Sequence, residues 1–357
     1  MDTGNGAGMR PLAYTRAATA AQALQACAQE GAQSDETAQG AMFIAGGTNL
    51  VDLMKLQIMR PHHLIDLNAT PLADIVVSDS GGLRLGAMAR NAQTAYHPQV
   101  QQRYPLLAAA ILAAASAQIR NMASNGGNLL QRTRCTYFYD PATPCNKRRR
   151  GSGCSAIGGL NKYHAILGAS EHCIATHPSD MCVALAALDA SVHVRGPAGA
   201  REIAFAEFHR LPGAEPERDT VLEEGELIEY IALPDADDLV AHSAYLKIRE
   251  RLSYAFGLVS VAAALALDDD GRIVRARIAL GGVAHKPWRR PESEVCLVGL
   301  VPGREAFGHA ADLLLEGAVA QHDNGFKITL ARRTVVRALE AAAAGTQVAH
   351  PGRGVAA

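Results

Sequence analysis

Five of the seven cysteines of this chain, Cys135, Cys145, Cys154, Cys173 and Cys182, fall between residues 135 and 182. The first four are separated by nine, eight and eighteen residues. A structural zinc site usually carries at least one close Cys-x2–4-Cys pair, and none occurs here. Widely spaced thiolates on an irregular loop suit an iron–sulfur cluster, which four cysteines can wrap. The basic run Lys147–Arg150 lies between two of them, and positive charge there would stabilise thiolates and a cluster of net negative charge. Cys182 sits in an apolar helical stretch and reads as an ordinary buried thiol.

Two glycine turns are the second chemical feature. Ala45, Gly46, Gly47, Thr48, Asn49 and Leu50 lie between a strand pattern and a helix pattern. Successive glycine N–H groups at such a place can form an anion-binding nest, and the helix start adds a favourable partial charge. Ser124, Gly126, Gly127 and Asn128 form a similar turn further along. Neither has the spacing of a Rossmann fingerprint, and no Walker lysine is found after either. Two such turns suit a ligand with two phosphates.

The elements around these turns emerge from local patterning. Residues 11–30 carry an amphipathic helical pattern. Residues 41–56 read as strand, glycine turn and helix, and His63–Leu67 as a short strand. Residues 72–89 read as a hairpin turning at Asp79–Gly82. A long Ala/Leu helix is expected over 105–119, opening at Pro105. Residues 131–173 show no period, and a loop this long is usually functional or disordered. Next come a helix opening at Pro178 and a strand, then a polar loop at 211–220 and a strand at 226–234. From about residue 241 the texture becomes that of successive antiparallel strands, the last two closed by Asp268–Gly271. Helices over Arg304–Ala318 and Ile328–Ala344 finish the pattern, the second stopped by Gly345.

Composition narrows the function. The 357 residues suggest two or three compact units. Thirty-four basic and 35 acidic residues nearly cancel, which argues against a general nucleic-acid binder. No apolar run is long enough to span a membrane. The first residues do not read as a signal peptide, so the expectation is a chain without its own export signal.

Taken together, AGGTNL, QIRNMASNGGN, CIATHPSDMCVALAALDA and YLKIRERLSYAFGLVSVAAAL resemble the flavin-binding subunit of the xanthine dehydrogenase family of molybdenum hydroxylases. The segment RTRCTYFYDPATPCNKRRRGSGCSA resembles the version in periplasmic aldehyde oxidoreductases, whose flavin subunit carries an extra [4Fe-4S] cluster. The implied fold is α+β: a two-subdomain FAD-binding fold of the vanillyl-alcohol oxidase type, plus a C-terminal domain with a three-stranded antiparallel sheet and helices. The corresponding boundaries are 1–65, 66–235 with the Cys-rich insertion at 131–173, 236–350, and a frayed tail at 351–357.

The resemblance also implies roles. Ala45–Leu50 would wrap the FAD pyrophosphate through backbone N–H groups, and Ser124, Gly126, Gly127 and Asn128 would form the second phosphate-side turn. Asp180 matches an acidic residue that contacts polar groups of FAD. Ile228 matches an apolar residue whose backbone meets the adenine side, and Lys247 a lysine near the flavin. Tyr254 is a candidate neighbour of the isoalloxazine or a core tyrosine. Cys135, Cys145, Cys154 and Cys173 would hold the [4Fe-4S] cluster, with Cys182 as an alternative to Cys173.

The chain has no molybdopterin motif, so the substrate would be oxidised on a partner. The resemblance implies a heterotrimer with a large molybdenum-cofactor subunit and a small [2Fe-2S] subunit. Electrons would pass from them to FAD here and on to an external acceptor. Location would be periplasmic by co-export with a signal-bearing partner, or cytoplasmic. Rival readings are a flavin subunit serving purines or aromatic acyl-CoA, a flavinless cluster-bearing subunit, and a zinc-binding structural module.

Overall fold

The computed structural model describes residues 11–30 and 39–346. The expected frayed tail at 351–357 lies outside the described residues. Three sheets succeed one another along the chain. The first is parallel and holds β1 (Ala13–Arg16), β2 (Gln39–Ile44) and β3 (Pro61–Asp66), with β3 in the centre. The second is antiparallel and holds β4 (Ile75–Val77), β5 (Leu83–Gly86), β6 (Ser191–Gly196), β7 (Gly199–Ala204) and β8 (Leu227–Leu233), in the order β4-β5-β8-β6-β7. The third is β9 (Ser243–Ile248), β10 (Val259–Leu267) and β11 (Ile273–Gly281), antiparallel with β10 central.

Strand β10 explains how the later part of the chain joins the rest. Side chains alternate across a strand, and both faces of β10 are covered. Val259, Val261, Ala263 and Leu265 pack with the C-terminal helices Arg304–Leu314 and Phe326–Ala343. Ala262, Ala264 and Ala266 face the other way, into a core shared with the helices Pro105–Ala113 and Asp180–Ala187 and with the second sheet. The alanines on that face are small because helices press against it.

Three expectations need correction. Residues 11–30 are not one helix: β1 pairs in parallel with β3, and the helix begins only at Ala20. The stretch 105–119 is not one helix either. It ends at Ala113, Ala115 takes φ +45°, and a second helix runs over Ala117–Met122. Pro178 precedes the helix rather than opening it, because Ser179 is its N-cap. The segment 131–173 is largely irregular yet fixed. Its one helix is Thr136–Tyr139. Its later part is tied to the turn just beyond β11, where Ile166 N donates to Val283 O at 2.9 Å.

Candidate functional site

The first glycine turn leaves β2 and enters the helix Leu50–Lys55. Gly47 has φ +70°, a conformation that costs glycine nothing. A Cβ on Gly46 would come within 1.9 Å of the Met122 carbonyl oxygen, so only glycine lets the two turns approach. Arg90 locks the approach: its Nη1 donates to Met122 O at 2.7 Å and its Nη2 to Asn68 Oδ1 at 2.7 Å. Asn68 Nδ2 in turn donates to Ala45 O at 3.0 Å. Among the described residues, the amides of Gly46, Gly47 and Thr48 donate to no group of the chain. Three unspent donors at a tight turn fit an anionic oxygen.

The second turn is built differently. Ser124 caps the short helix Asn125–Leu129, its Oγ accepting from Gly127 N at 3.2 Å. Gly126 N donates to Ala87 O at 2.8 Å and Asn128 N to Ser124 O at 2.9 Å. The amides of this turn are therefore used within the chain, and its contribution to a ligand lies in side chains and close approach. Asn128 is buried and joins a polar network: its Nδ2 donates to Asn91 Oδ1 at 2.7 Å, and its Oδ1 accepts from Ser179 Oγ at 2.5 Å. Ser179 also caps the helix that starts with Asp180.

Asp180 and Lys247 meet each other. Lys247 Nζ lies 2.7 Å from Asp180 Oδ2, with side chains 4% and 7% exposed. Tyr245 Oη donates to Asp180 Oδ1 at 2.7 Å. Burial, together with the Asp180 charge, pushes the Tyr245 hydroxyl well above its usual range. Tyr245 was not expected from the sequence, although its two-residue spacing from Lys247 on β9 puts both on one face. Ile228 is buried on β8 opposite Val194. Tyr254 is no core tyrosine: it is 58% exposed with φ +49°.

Cys135, Cys145, Cys154 and Cys173 line one small cavity. Cys145 and Cys154 face each other across an isolated antiparallel bridge, and Cys173 bridges to Ser170. Cys173 donates to Cys154, which lowers the Cys154 thiol and raises that of Cys173. Burial pushes the Cys135 thiol up to about 11. Among the described residues, no three of these sulfurs approach within 4.8 Å of one another. A tetrahedral zinc with bonds of about 2.3 Å would draw its sulfurs to about 3.8 Å apart. No three of these sulfurs are drawn together as a bound zinc would draw them, and all four cysteines line one cavity.

The framework round this cavity is polar and buried. Arg148 donates to the carbonyls of Tyr137, Phe138 and Thr143. Asn146 Nδ2 donates to His172 O at 2.9 Å and its Oδ1 accepts from Gly153 N at 2.8 Å. Lys147 pairs with Asp219, which also meets Arg132 at 2.5 Å. Burial alone would raise the Asp219 carboxyl, but Lys147 and Arg132 overcome it and hold it well below the usual carboxylate range. The basic run thus works through individual members: Lys147 and Arg148 brace the loop.

The two sites are physically joined. Asn49 Oδ1 accepts from Arg132 N at 2.9 Å, and Asn49 Nδ2 donates to Tyr139 Oη at 3.4 Å. Tyr139 ends the short helix that begins just after Cys135. Cys182 stands apart from the four, its sulfur within 4.8 Å of ring nitrogens of His177 and His209. Burial pushes its thiol up to about 12.

The family model described as the FAD binding domain in molybdopterin dehydrogenase matches residues 9–236. The model of the CO dehydrogenase flavoprotein C-terminal domain matches residues 211–342. The chain is 48% identical to the aldehyde oxidoreductase FAD-binding subunit PaoB of Escherichia coli, over 94% of this chain and 99% of that one. It is 26% identical to the glyceraldehyde dehydrogenase medium chain of Sulfolobus acidocaldarius, over 72% of this chain and 73% of that one. Among solved structures, a chain of the carbon monoxide dehydrogenase from Hydrogenophaga pseudoflava matches with a TM-score of 0.71 and 26% identity, covering 94% of this chain and 98% of that one. The free amides of the first turn, the braced second turn and these matches agree: the chain belongs to the family of FAD-binding subunits of the molybdopterin dehydrogenases.

Proposed function

We propose that this chain is the FAD- and [4Fe-4S]-binding electron-transfer subunit of a molybdenum-containing aldehyde oxidoreductase. The observation that carries the cluster is the convergence of Cys135, Cys145, Cys154 and Cys173 on one cavity, where no three sulfurs close up into a single-ion site. The match to an aldehyde oxidoreductase FAD-binding subunit over nearly its whole length supports the choice of aldehyde over other substrates.

The residues divide the work. The amides of Gly46, Gly47 and Thr48 would take the pyrophosphate oxygens, held in place by Arg90 and Asn68. Asn128 and Ser124 would border the ligand from the second turn. Asp180, with its charge balanced by Lys247, would present its carboxylate beside the flavin's polar groups. Ile228 would lie on the adenine side. FAD, when bound, supplies a centre that accepts electrons singly and releases one or two. The Thr136–Tyr139 helix connects the cluster residues to Asn49 of the phosphate turn, so one rigid segment would set the spacing of the two cofactors.

Aldehyde oxidation would occur on a large molybdenum-cofactor subunit, with a small [2Fe-2S] subunit between it and this chain. The assembly would be periplasmic, exported on the signal of a partner. The test is reduction of the flavin by substrate. Aldehyde should bleach the bound flavin in the assembled complex and leave the isolated chain unchanged. Bleaching by a purine but not by any aldehyde would overturn the substrate assignment.

A further inference from the structure

We infer that His164 is a positioning residue for the cysteine site, donating a hydrogen bond to the Cys135 sulfur that raises the reduction potential of the cluster. This rests on the cluster reading proposed for the four cysteines. His164 Nε2 lies 3.1 Å from Cys135 Sγ. The imidazole is buried. Nδ1 is buried with no partner among the described residues, and a thiolate is an acceptor only. The arrangement places the proton on Nε2, pointing at sulfur.

The backbone that carries the ring is held on both sides. The His164 carbonyl accepts from Lys327 Nζ at 2.9 Å and from Asn324 Nδ2 at 3.2 Å. Its amide donates to Asn161 O at 3.0 Å. Lys327 also donates to Gly282 O at 2.6 Å, which anchors the whole turn to the end of β11. The C-terminal helix thus holds, through a buried lysine, the backbone from which the His164 ring reaches Cys135.

Cys135 is already the cap of Thr136–Tyr139, its carbonyl accepting from Phe138 N at 3.0 Å. Among the described residues, it alone of the four sulfurs meets a side-chain N–H. Donors to a ligating sulfur withdraw electron density and favour the reduced cluster, which carries one more negative charge. The asymmetry falls on the cysteine that leads directly to Tyr139 and Asn49.

The experiment is a redox titration of the cluster in the assembled complex, monitored by electron paramagnetic resonance. His164→Leu, with iron content unchanged, should shift the midpoint to lower potential, and His164→Gln, which keeps an N–H donor, should recover much of the shift. An unchanged midpoint in His164→Leu at full iron overturns the inference while leaving the cluster reading intact. If His164→Leu loses iron, the unmutated complex decides. Pulsed resonance on the reduced cluster with 15N-histidine should show coupling to a histidine nitrogen, and no such coupling overturns the inference. Absence of iron from the unmutated complex would instead sink the cluster reading.

Discussion

Gly46 has a carbonyl oxygen where a side chain would begin. A methyl group there would meet Met122 O at 1.9 Å, and backbone cannot yield as a flexible side chain does. Gly46→Ala should therefore cost about 1–3 kcal/mol of stability and release most of the flavin, read as FAD content per purified chain. The sequence signalled this position through its paired glycines. It could not signal Met122, which is brought in by a distant helix. Asp180 and Lys247 were visible only through resemblance, because nothing local shows that residues so far apart pair. His164 gave no sign at all, since a lone histidine in an irregular stretch has no period to betray it.

Buried histidines give the molecule a pH limit. Burial lowers His209 to about 4 and His285 to about 3, and His177 well below its usual value. An unfolded chain protonates such groups near pH 6.5. Between that pH and about 4, the unfolded state binds protons that the folded state does not, so stability falls as pH falls. The urea midpoint should be flat above pH 7 and drop steeply from pH 6.5 to 4. A midpoint that holds level to pH 4 would show that these imidazoles are hydrated.

At the scale of elements, the legible ones had period and punctuation. β2, the hairpin β4–β5 and the antiparallel strands β9 to β11 stand where their apolar runs and turn residues put them. The missed elements lack both. β1 is a four-residue edge strand with every residue exposed, and its alanine-rich neighbourhood suits a helix until β3 pairs with it. β7 is exposed along most of its length, so no alternation marks it. At the break before Ala115, Arg120 Nη1 donates to Ala114 O at 2.6 Å, and from across the chain Lys247 Nζ and Arg249 Nη1 reach Ala113 O at 3.2 and 3.1 Å. Ser179 links two elements at once, capping its helix and holding Asn128. Ser179→Ala should cost about 1–2 kcal/mol in chemical denaturation and loosen flavin binding, because the second turn loses its tie to Asp180.

Across the whole molecule, the first glycine turn and the cysteine cavity are joined by side-chain contacts. Arg132 and Tyr139 grip Asn49, and Lys147 and Arg148 hold the loop between. The C-terminal helix reaches this region through Lys327, which holds the His164 carbonyl while the His164 ring meets Cys135. The sequence made the family and the sheet order of the last domain legible. It left the irregular segment as a string of cysteines, because convergence of Cys135 with Cys173 depends on contacts that span the chain. The central claim is that this convergence holds a cluster. The direct measurement is anaerobic purification of the chain with its partners and determination of the iron, zinc and flavin content of this subunit. One FAD with about four irons, and loss of that iron with FAD retained in Cys145→Ser, is the expected result. FAD with no iron, or one zinc held by the same cysteines, would contradict it.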